Sequence, residues 1–293
     1  MKARVANLFS VLVALLTPAA AHAQTAPVWA TVPDVPPLPP PARSGFVDHD
    51  GARIYFAVFN QGGGRPVVLL HGGFASSASW GFEVPRLAPR HEVIVIDSRG
   101  HGRSTMPAGP LSYRQMTTDV VAVLDRLRVA RASVVGVSDG GIVGLLLAIH
   151  HSDRVDRLFA WGATFNTHAD SDGPPDPTMS GIGARFMARM EANYRAVSAT
   201  PDGFPALRTA LGRLYAIEPD LTPAELGSIR VPTLVADGAH EQFIARSHTE
   251  ALACMIPGAR LTILPNVSHG GPQQDPAAFH QAVASFLDPP RPR

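Results

Sequence analysis

The sequence contains almost no cysteine, and this scarcity excludes one common means of stabilising a fold. Cys254 is the only cysteine among the 293 residues, so no disulfide can form within the chain. Such a chain must depend on its hydrophobic core, and a domain of this length can bury a large one. Cys254 itself lies in an apolar helical pattern with Leu252 and Met255, which predicts that it is a buried packing residue.

Charged residues are also scarce, and neither sign predominates. They make up 17% of the sequence, and the 25 basic and 24 acidic residues leave a formal net charge of +1. A near-neutral surface argues against nucleic acid or another polyanion as a partner. Cysteine and histidine also lack the spacing of a metal site. We therefore expect no metal and no other cofactor, and a small molecule as the partner.

Residues 1–23 have the features of a secretory signal peptide. Lys2 and Arg4 give a positive start, residues 8–16 form a short apolar core, and residues 21–23 form an Ala-x-Ala cleavage site. The apolar core is too short to span a membrane, and no cysteine follows it as a lipid anchor would require. We therefore expect an exported protein, periplasmic or secreted, with 23 basic and 24 acidic residues after cleavage.

The rest of the chain divides into a spacer, one domain and a short tail. Residues 24–44 are rich in proline, which predicts an extended tether without a core of its own. Globular sequence extends from 45 to 288, with a helical insertion at about 166–228. Residues 289–293 form the tail, and no internal repeat is present.

A nucleophile motif lies near the middle of the chain. An apolar run through Val134 and Val135 predicts a buried strand, and residues 136–140 match G-x-S-x-G. A small apolar helical run follows directly, so the motif has the strand, sharp turn and helix that it requires. The turn is expected to strain the backbone of Ser138 and to expose its hydroxyl at a helix N-terminus. Gly136 and Gly140 leave room for this turn because they have no side chains. The alternative is an ordinary turn that happens to contain serine, so the interpretation depends on partner residues elsewhere.

A glycine-rich loop after an earlier strand predicts the oxyanion hole. Residues 66–70 form a continuous apolar strand that runs into His-Gly-Gly-Phe, beginning at His71. Glycines in such a loop let backbone N–H groups approach a substrate oxygen. We expect the two donors to be the N–H groups of Gly73 and Asp139, with Phe74 as the alternative to Gly73. His71 is expected to order the loop and to take no part in the chemistry.

Strands and helices alternate along the chain, which predicts an α/β fold with a mostly parallel sheet of about eight strands and helices on both faces. The segments HGGF (71–74), DSRGHGRS (97–104) and GVSDGG (136–141) occur in this order. Together they resemble the α/β-hydrolase fold, in the branch of small serine esterases of the valacyclovir-hydrolase type with Ser-Asp-Gly-Gly at this turn. The resemblance covers about residues 45–288 and implies a serine hydrolase, and we expect the 97–104 loop to be structural.

The alternation breaks in the second half of the chain, where a polar segment precedes two helical apolar stripes. This pattern predicts a small helical cap above the carboxyl ends of the strands, where open α/β sheets bind their ligands. The resemblance implies that the cap forms the roof of a substrate pocket. Phe74, Phe186 and Met190 are the predicted pocket residues, and Met187 and Tyr194 are further candidates.

On this fold the catalytic residues follow the chain order serine, acid, histidine. After a strand over 231–236, Gly238 to Glu241 matches the acid loop of resembling proteins, with glutamate in place of the commoner aspartate. Glu241 is therefore preferred over Asp237, which stands close to the strand end and would brace the turn. After the last strand, His269 lies on a glycine-flanked loop, which predicts that it is the base.

These residues predict an exported serine hydrolase that cleaves a small carboxylic ester through an acyl-enzyme. His269 would take the proton of Ser138, and Glu241 would fix the imidazole tautomer. Asp139 has two interpretations: it complements the helix N-terminus, or it binds a substrate ammonium, as a resemblance to amino-acid-ester hydrolases suggests. The alternatives are lactone, thioester, amide or carbon–carbon bond hydrolysis by the same triad, and a non-catalytic binding protein on a hydrolase scaffold.

Overall fold

One mixed sheet carries the site. The computed structural model describes residues 26–169 and 180–289, so the signal peptide predicted over 1–23 lies outside the described residues. The strands are β1 (Arg43–His49), β2 (Ala52–Phe59), β3 (Arg65–Leu70), β4 (His91–Ile96), β5 (Ala132–Val137), β6 (Val155–Trp161), β7 (Thr233–Gly238) and β8 (Arg260–Leu264). Their order across the sheet is β1-β2-β4-β3-β5-β6-β7-β8. The β1–β2 and β2–β4 pairs are antiparallel, and the other five pairs are parallel, which confirms the predicted mostly parallel sheet.

The central strands are apolar on both sides because the sheet is covered on both faces. In β3, Val68 and Leu70 belong to one hydrophobic cluster, whereas Val67 and Leu69 belong to the other. This alternation follows from the two-residue repeat of a strand. A sheet buried on both faces gives continuous apolar runs, and these runs made the strands recognisable in the sequence.

The helices are α1 (Val84–Leu87), α2 (Tyr113–Leu127), α3 (Asp139–His150), α4 (Ile182–Val197), α5 (Phe204–Tyr215), α6 (Pro223–Leu226), α7 (Arg246–Met255), α8 (Gly271–Gln274) and α9 (Pro276–Leu287). Buried residues of α2 and α3 join one hydrophobic cluster, and those of α1 and α9 join the other. Helices therefore cover both faces, as predicted. Across residues 26–169 and 180–289, the structure has no helix with the length and hydropathy needed to cross a membrane.

Helices α4, α5 and α6 form the described part of the cap. The two longer helices differ in how firmly they are packed. Four residues of α5 are buried, on the apolar stripe that the sequence predicted: Phe204, Leu207, Leu211 and Leu214. In contrast, only Ile182 and Tyr194 are buried among the 16 residues of α4. Helix α4 must therefore be held in part by polar contacts.

The proline-rich segment before β1 differs from the simple tether that the sequence predicted. Its described part lies on the domain, and Val28–Ala30 forms a turn of 3-10 helix. Ala30 is only 2% exposed, and its carbonyl accepts a hydrogen bond from Arg185 of α4. Proline removes N–H donors but leaves the carbonyl acceptors, so side chains of the domain can bind such a segment.

Cys254 is exposed, so the prediction of a buried packing residue was wrong. Leu252, two positions earlier in α7, is fully buried. A helix turns by about 100° per residue, so two positions place Cys254 nearly opposite to Leu252. The apolar pattern was real, but Cys254 lies on its outer side.

The turn between β5 and α3 presents Ser138 at the carboxyl edge of the sheet. Ser138 has φ 53° and ψ −120°, a conformation that residues with a side chain rarely adopt. A Cβ on Gly136 would lie 2.2 Å from the carbonyl oxygen of Gly140, and a Cβ on Gly140 would lie 2.1 Å from that of Leu70. The predicted strain at this turn, and the need for glycine on either side of it, are confirmed.

We expect Gly140→Ala to destabilise the protein by about 1–3 kcal/mol, because the new methyl group meets backbone atoms that cannot move aside. Gly212→Ala is the matched control. Gly212 lies on the exposed side of α5 with open space around its Cβ position. Alanine should stabilise that helix by about 0.5–1 kcal/mol. Urea unfolding measures both changes, and equal stability of the two variants would contradict the tight turn.

Candidate active site

The predicted acid and base contact each other directly. Nδ1 of His269 lies 2.8 Å from Oε2 of Glu241. Their side chains are 15% and 6% exposed, so the pair is largely shielded from water. Nδ1–H donates to the carboxylate, which leaves Nε2 as the nitrogen that can accept a proton. The loop that carries His269 follows β8, and the loop that carries Glu241 follows β7.

The end of β6 fixes both Ser138 and His269. The backbone N–H of Ser138 donates to the carbonyl of Trp161 at 2.7 Å, and the Trp161 indole donates to the carbonyl of His269 at 3.0 Å. The next residue, Gly162, has φ 54°, and a Cβ there would lie 2.7 Å from Cε1 of His269. The imidazole thus packs against bare backbone. One strand end brings the predicted nucleophile and base to the same edge of the sheet.

Asp237 lies behind the acid and is almost completely buried. Its oxygens accept the N–H of Gly238 and the hydroxyl of Thr249, each at 2.8 Å. Burial raises the pKa of Asp237 well above its usual range, and the Glu241 charge raises it further. Burial therefore favours the protonated, uncharged form of Asp237.

The charges around His269 favour the imidazolium. Burial alone would favour the neutral ring, but the carboxylate of Glu241, with smaller contributions from Asp237 and Asp139, raises the pKa of His269 to about 9. Burial likewise opposes the ionisation of Glu241, and its contact with His269 outweighs burial and lowers its pKa. The pair is therefore ionic at neutral pH, and the neutral base form of His269 becomes more populated as the pH rises.

The predicted oxyanion loop runs beside Ser138. A Cβ on Gly72 would lie 3.1 Å from Cβ of Ser138 and 3.8 Å from its Oγ. A Cβ on Gly73 would lie 1.9 Å from the Tyr215 hydroxyl, so only glycine fits there. His71 orders this loop, because its Nδ1 bonds to the carbonyl of Gly72 and its Nε2 accepts the N–H of Ser98. Burial lowers the pKa of His71, which keeps the ring neutral for these two roles.

The Asp139 carboxylate binds two tyrosine hydroxyls that the sequence did not reveal as site residues. Tyr113 donates to Oδ1 and Tyr215 donates to Oδ2, each at 3.0 Å. Asp139 is 8% exposed, and this burial raises its pKa to about 6 although the hydroxyls partly offset the effect. Tyr215 ends the cap helix α5, so the cap is hydrogen-bonded to the residue that follows Ser138. The sequence offered one indication of this contact, because Tyr215 is a polar residue at the end of the apolar stripe of α5.

Of the predicted pocket residues, Phe74 lies on the loop after β3, and Phe186 and Met190 lie on the cap helix α4. Phe74 has φ 64°, and its ring contacts those of Phe204 and Tyr215 at centroid distances of 6.2 and 6.1 Å. Met190 is half-buried and packs against the larger hydrophobic cluster. Phe186, one turn earlier on α4, is also half-buried.

The 97–104 loop has the structural role that the sequence predicted. Asp97 accepts the N–H of Ser77 at 2.6 Å, which ties this loop to the segment after the oxyanion loop. Arg99 is fully buried and makes two hydrogen bonds of 2.7 Å with Asp119 of α2. A buried guanidinium needs such a bidentate partner.

Comparisons with known proteins agree with this fold and this order of residues. A profile of the Alpha/beta hydrolase family matches residues 67–282, a range that includes Ser138, Glu241 and His269. The RutD protein of Caulobacter segnis, named as a carbamate hydrolase, is 32% identical over 253 residues, which cover 77% of this chain and 92% of that protein.

Two solved structures show the same arrangement of the chain. A hydrolase from Pseudomonas aeruginosa superposes with a TM-score of 0.66 at 30% identity, covering 84% of this chain and 98% of that one. The enol-lactonase from Burkholderia xenovorans gives a TM-score of 0.66 at 27% identity, covering 83% and 99%. The names of the RutD protein and of the enol-lactonase refer to different bonds, a carbamate and a lactone.

We expect the two buried acids to respond differently to amide substitution. Asp237→Asn is uncharged, as the buried Asp237 carboxyl is when it is protonated, so kcat/KM for a nitrophenyl ester should stay within about threefold of wild type. Glu241→Gln removes the charge that stabilises the His269 imidazolium and replaces one carboxylate oxygen with an amide NH2 group, and should lower kcat by about 10³–10⁴-fold. Steady-state kinetics on both variants measures the difference. A larger loss in Asp237→Asn would make Asp237 the functional acid.

The pH profile of the reaction should move when Asp139 is neutralised. The Asp139 anion stabilises the His269 imidazolium, so Asp139→Asn should lower the pKa of His269 and shift the acidic limb of kcat/KM to lower pH. Asp48→Asn, at an exposed carboxylate in β1, is the control and should leave the limb in place. An unmoved or raised limb in Asp139→Asn would show that this charge does not act on the base.

Proposed function

Since the chain belongs to the alpha/beta hydrolase family, we propose that it is a serine hydrolase that cleaves a small carboxylic ester through an acyl-enzyme. The observation that supports this most strongly is the 2.8 Å bond between Glu241 and His269 at the edge where the strained turn presents Ser138. A hydroxyl is a poor nucleophile by itself and needs an oriented base to remove its proton.

In the proposed reaction, Ser138 Oγ attacks the ester carbonyl carbon while Nε2 of His269 takes the hydroxyl proton. Glu241 holds the Nδ1–H tautomer and stabilises the imidazolium that forms. The tetrahedral intermediate then expels the alcohol, which receives the proton from His269. A water molecule attacks the acyl-enzyme by the same route, releases the acid and restores Ser138.

The backbone N–H groups of Gly73 and Asp139 are the proposed donors to the oxygen that becomes negative in this intermediate. Gly73 lies beside Asp139, since a Cβ on Gly73 would be 2.9 Å from Oδ2 of Asp139. The N-terminal end of α3 adds a partial positive charge at the same place. The loss of one such donor typically costs about 10²–10³ in turnover.

The contacts of Asp139 favour the first of its two interpretations. Both carboxylate oxygens already accept hydrogen bonds, from the hydroxyls of Tyr113 and Tyr215. Asp139 then complements the helix start and ties the cap to the nucleophile turn. A substrate ammonium would have to displace a tyrosine hydroxyl to reach the carboxylate, so we do not assign amine recognition to it.

Lactone hydrolysis is the second candidate, because the enol-lactonase structure superposes over 83% of this chain. A lactone is a cyclic ester and needs the same nucleophile, base and oxyanion donors. The likeness to a protein named as a carbamate hydrolase adds a carbamate to the substrates worth testing.

We also propose export to the periplasm or the medium, which the sequence of residues 1–23 supports.

Labelling with a fluorophosphonate, followed by a substrate panel, tests the proposed function. The wild type should be labelled on Ser138 and should hydrolyse short nitrophenyl esters faster than lactones or carbamates. Ser138→Ala should lose both labelling and turnover, whereas Ser228→Ala, at an exposed serine after α6, should keep both. Full ester hydrolysis by Ser138→Ala would refute the serine mechanism. An unlabelled wild type that binds esters without turnover would indicate a binding protein.

A further inference from the structure

A short segment before β1 stacks on the loop that carries the acid. The Trp29 indole lies parallel to the His240 imidazole, with a ring-centroid distance of 3.8 Å and an interplanar angle of 3°. His240 directly precedes Glu241. The backbone N–H of His240 donates to the carbonyl of Val267 at 3.0 Å, which joins this loop to the one that carries the base. The stacked indole therefore covers His240, the residue directly before Glu241.

The same segment binds the loop that carries the base. The side-chain amide of Gln274 donates to the carbonyls of Trp29 and Thr31, each at 3.0 Å. The other end of this amide accepts the backbone N–H of Ser268 at 2.8 Å, and Ser268 directly precedes His269. One side chain thus connects the segment to the residue before the base. All three bonds satisfy backbone groups that would otherwise need water.

The segment continues onto the loosely packed cap helix. Arg189 of α4 bonds to the carbonyl of Pro33 and pairs with the Asp34 carboxylate at 2.6 Å. Arg185, one turn earlier, donates to the carbonyl of Ala30 at 3.3 Å. These bonds join the segment to α4, which buries few of its own side chains.

We propose that Trp29–Asp34 is a clasp that fixes the acid loop, the base loop and the cap relative to one another, with Trp29 and Gln274 as positioning residues of the reaction. The inference rests on the proposed function. The clasp lies before β1, outside residues 67–282 that the family profile matches. Trp29 stacks on His240, directly before Glu241, and Gln274 connects the clasp to Ser268, directly before His269. A small displacement at either place changes the geometry of the pair.

The clasp should therefore act on turnover more than on substrate binding. A displacement of about 1 Å in a catalytic group can reduce a rate by about 10²-fold. Trp29 touches neither the proposed nucleophile nor the predicted pocket residues in any described contact, so KM should change little. A longer Glu241–His269 bond would also weaken the effect of the carboxylate on the imidazole and lower the pKa of His269.

The test compares Trp29→Ala, Trp29→Phe, Gln274→Ala and Val28→Ala in the full mature chain. Val28 is the neighbouring control, because it is 46% exposed. For each variant we would measure kcat per fluorophosphonate-labelled site, KM, and the pKa of His269 by NMR. We expect kcat to fall by about 10-fold or more in Trp29→Ala and Gln274→Ala, with KM within about twofold and the pKa of His269 lowered. Trp29→Phe keeps an aromatic ring for stacking and should retain most of the activity, and Val28→Ala should match the wild type.

The double variant of Trp29 and Gln274 adds a second criterion. If both residues act through one clasp, the fold-loss in kcat of the double variant should be smaller than the product of the fold-losses of the two single variants. The clasp is refuted if kcat per labelled site and the pKa of His269 stay at wild-type values in Trp29→Ala, even if the melting temperature falls. Trp29→Ala and Trp29→Phe decide the question if Gln274→Ala does not fold. Ser138→Ala in the same series separates the two hypotheses, because activity that survives it refutes the proposed function, while the pKa readout still tests the clasp.

Discussion

The buried ion pair between Glu241 and His269 is the interaction on which the rest of the site depends. Two charges removed from water are costly unless they meet in good geometry and their remaining atoms are bonded. Here the N–H of Phe243 donates to Oε1 of Glu241 at 2.8 Å, and Nδ1–H of His269 donates to Oε2, also at 2.8 Å. The carboxylate thus has one orientation and presents Oε2 to the imidazole. Removal of one partner of such a pair typically costs about 3–5 kcal/mol.

Polar contacts attach the cap to the rest of the domain, and two groups of them lie close to the site. Tyr215 bonds to Asp139 beside the nucleophile, and the N-terminal segment bonds to α4 on one side and to the loops of the acid and base on the other. Both attachments are polar and directional, so they fix position as well as adding stability. These bonds connect the cap to the segments that carry the catalytic residues.

The sequence was sufficient for the features that local rules determine. The glycines around Ser138, the apolar strands and the loop positions of Glu241 and His269 could be recognised because each depends on neighbouring residues or on the order of elements. The bonds of Tyr113 and Tyr215 to Asp139 could not be predicted, since they join residues far apart in the chain. The packing of Trp29 on His240 was missed for the same reason: a proline-rich composition indicates extended backbone but not what the backbone lies against. Cys254 shows a further limit, because an apolar stripe does not mark which of its edge positions faces outward.

A crystal structure of the protein after reaction with a fluorophosphonate would test the arrangement of the site most directly, because the adduct mimics the tetrahedral intermediate. The geometry described above predicts phosphorus bonded to Oγ of Ser138, with one phosphoryl oxygen about 2.7–3.1 Å from the N–H groups of both Gly73 and Asp139. Nε2 of His269 should face the adduct while Nδ1 remains bonded to Glu241. Phosphorus on another residue, or a phosphoryl oxygen directed away from both N–H groups, would contradict the proposed active site.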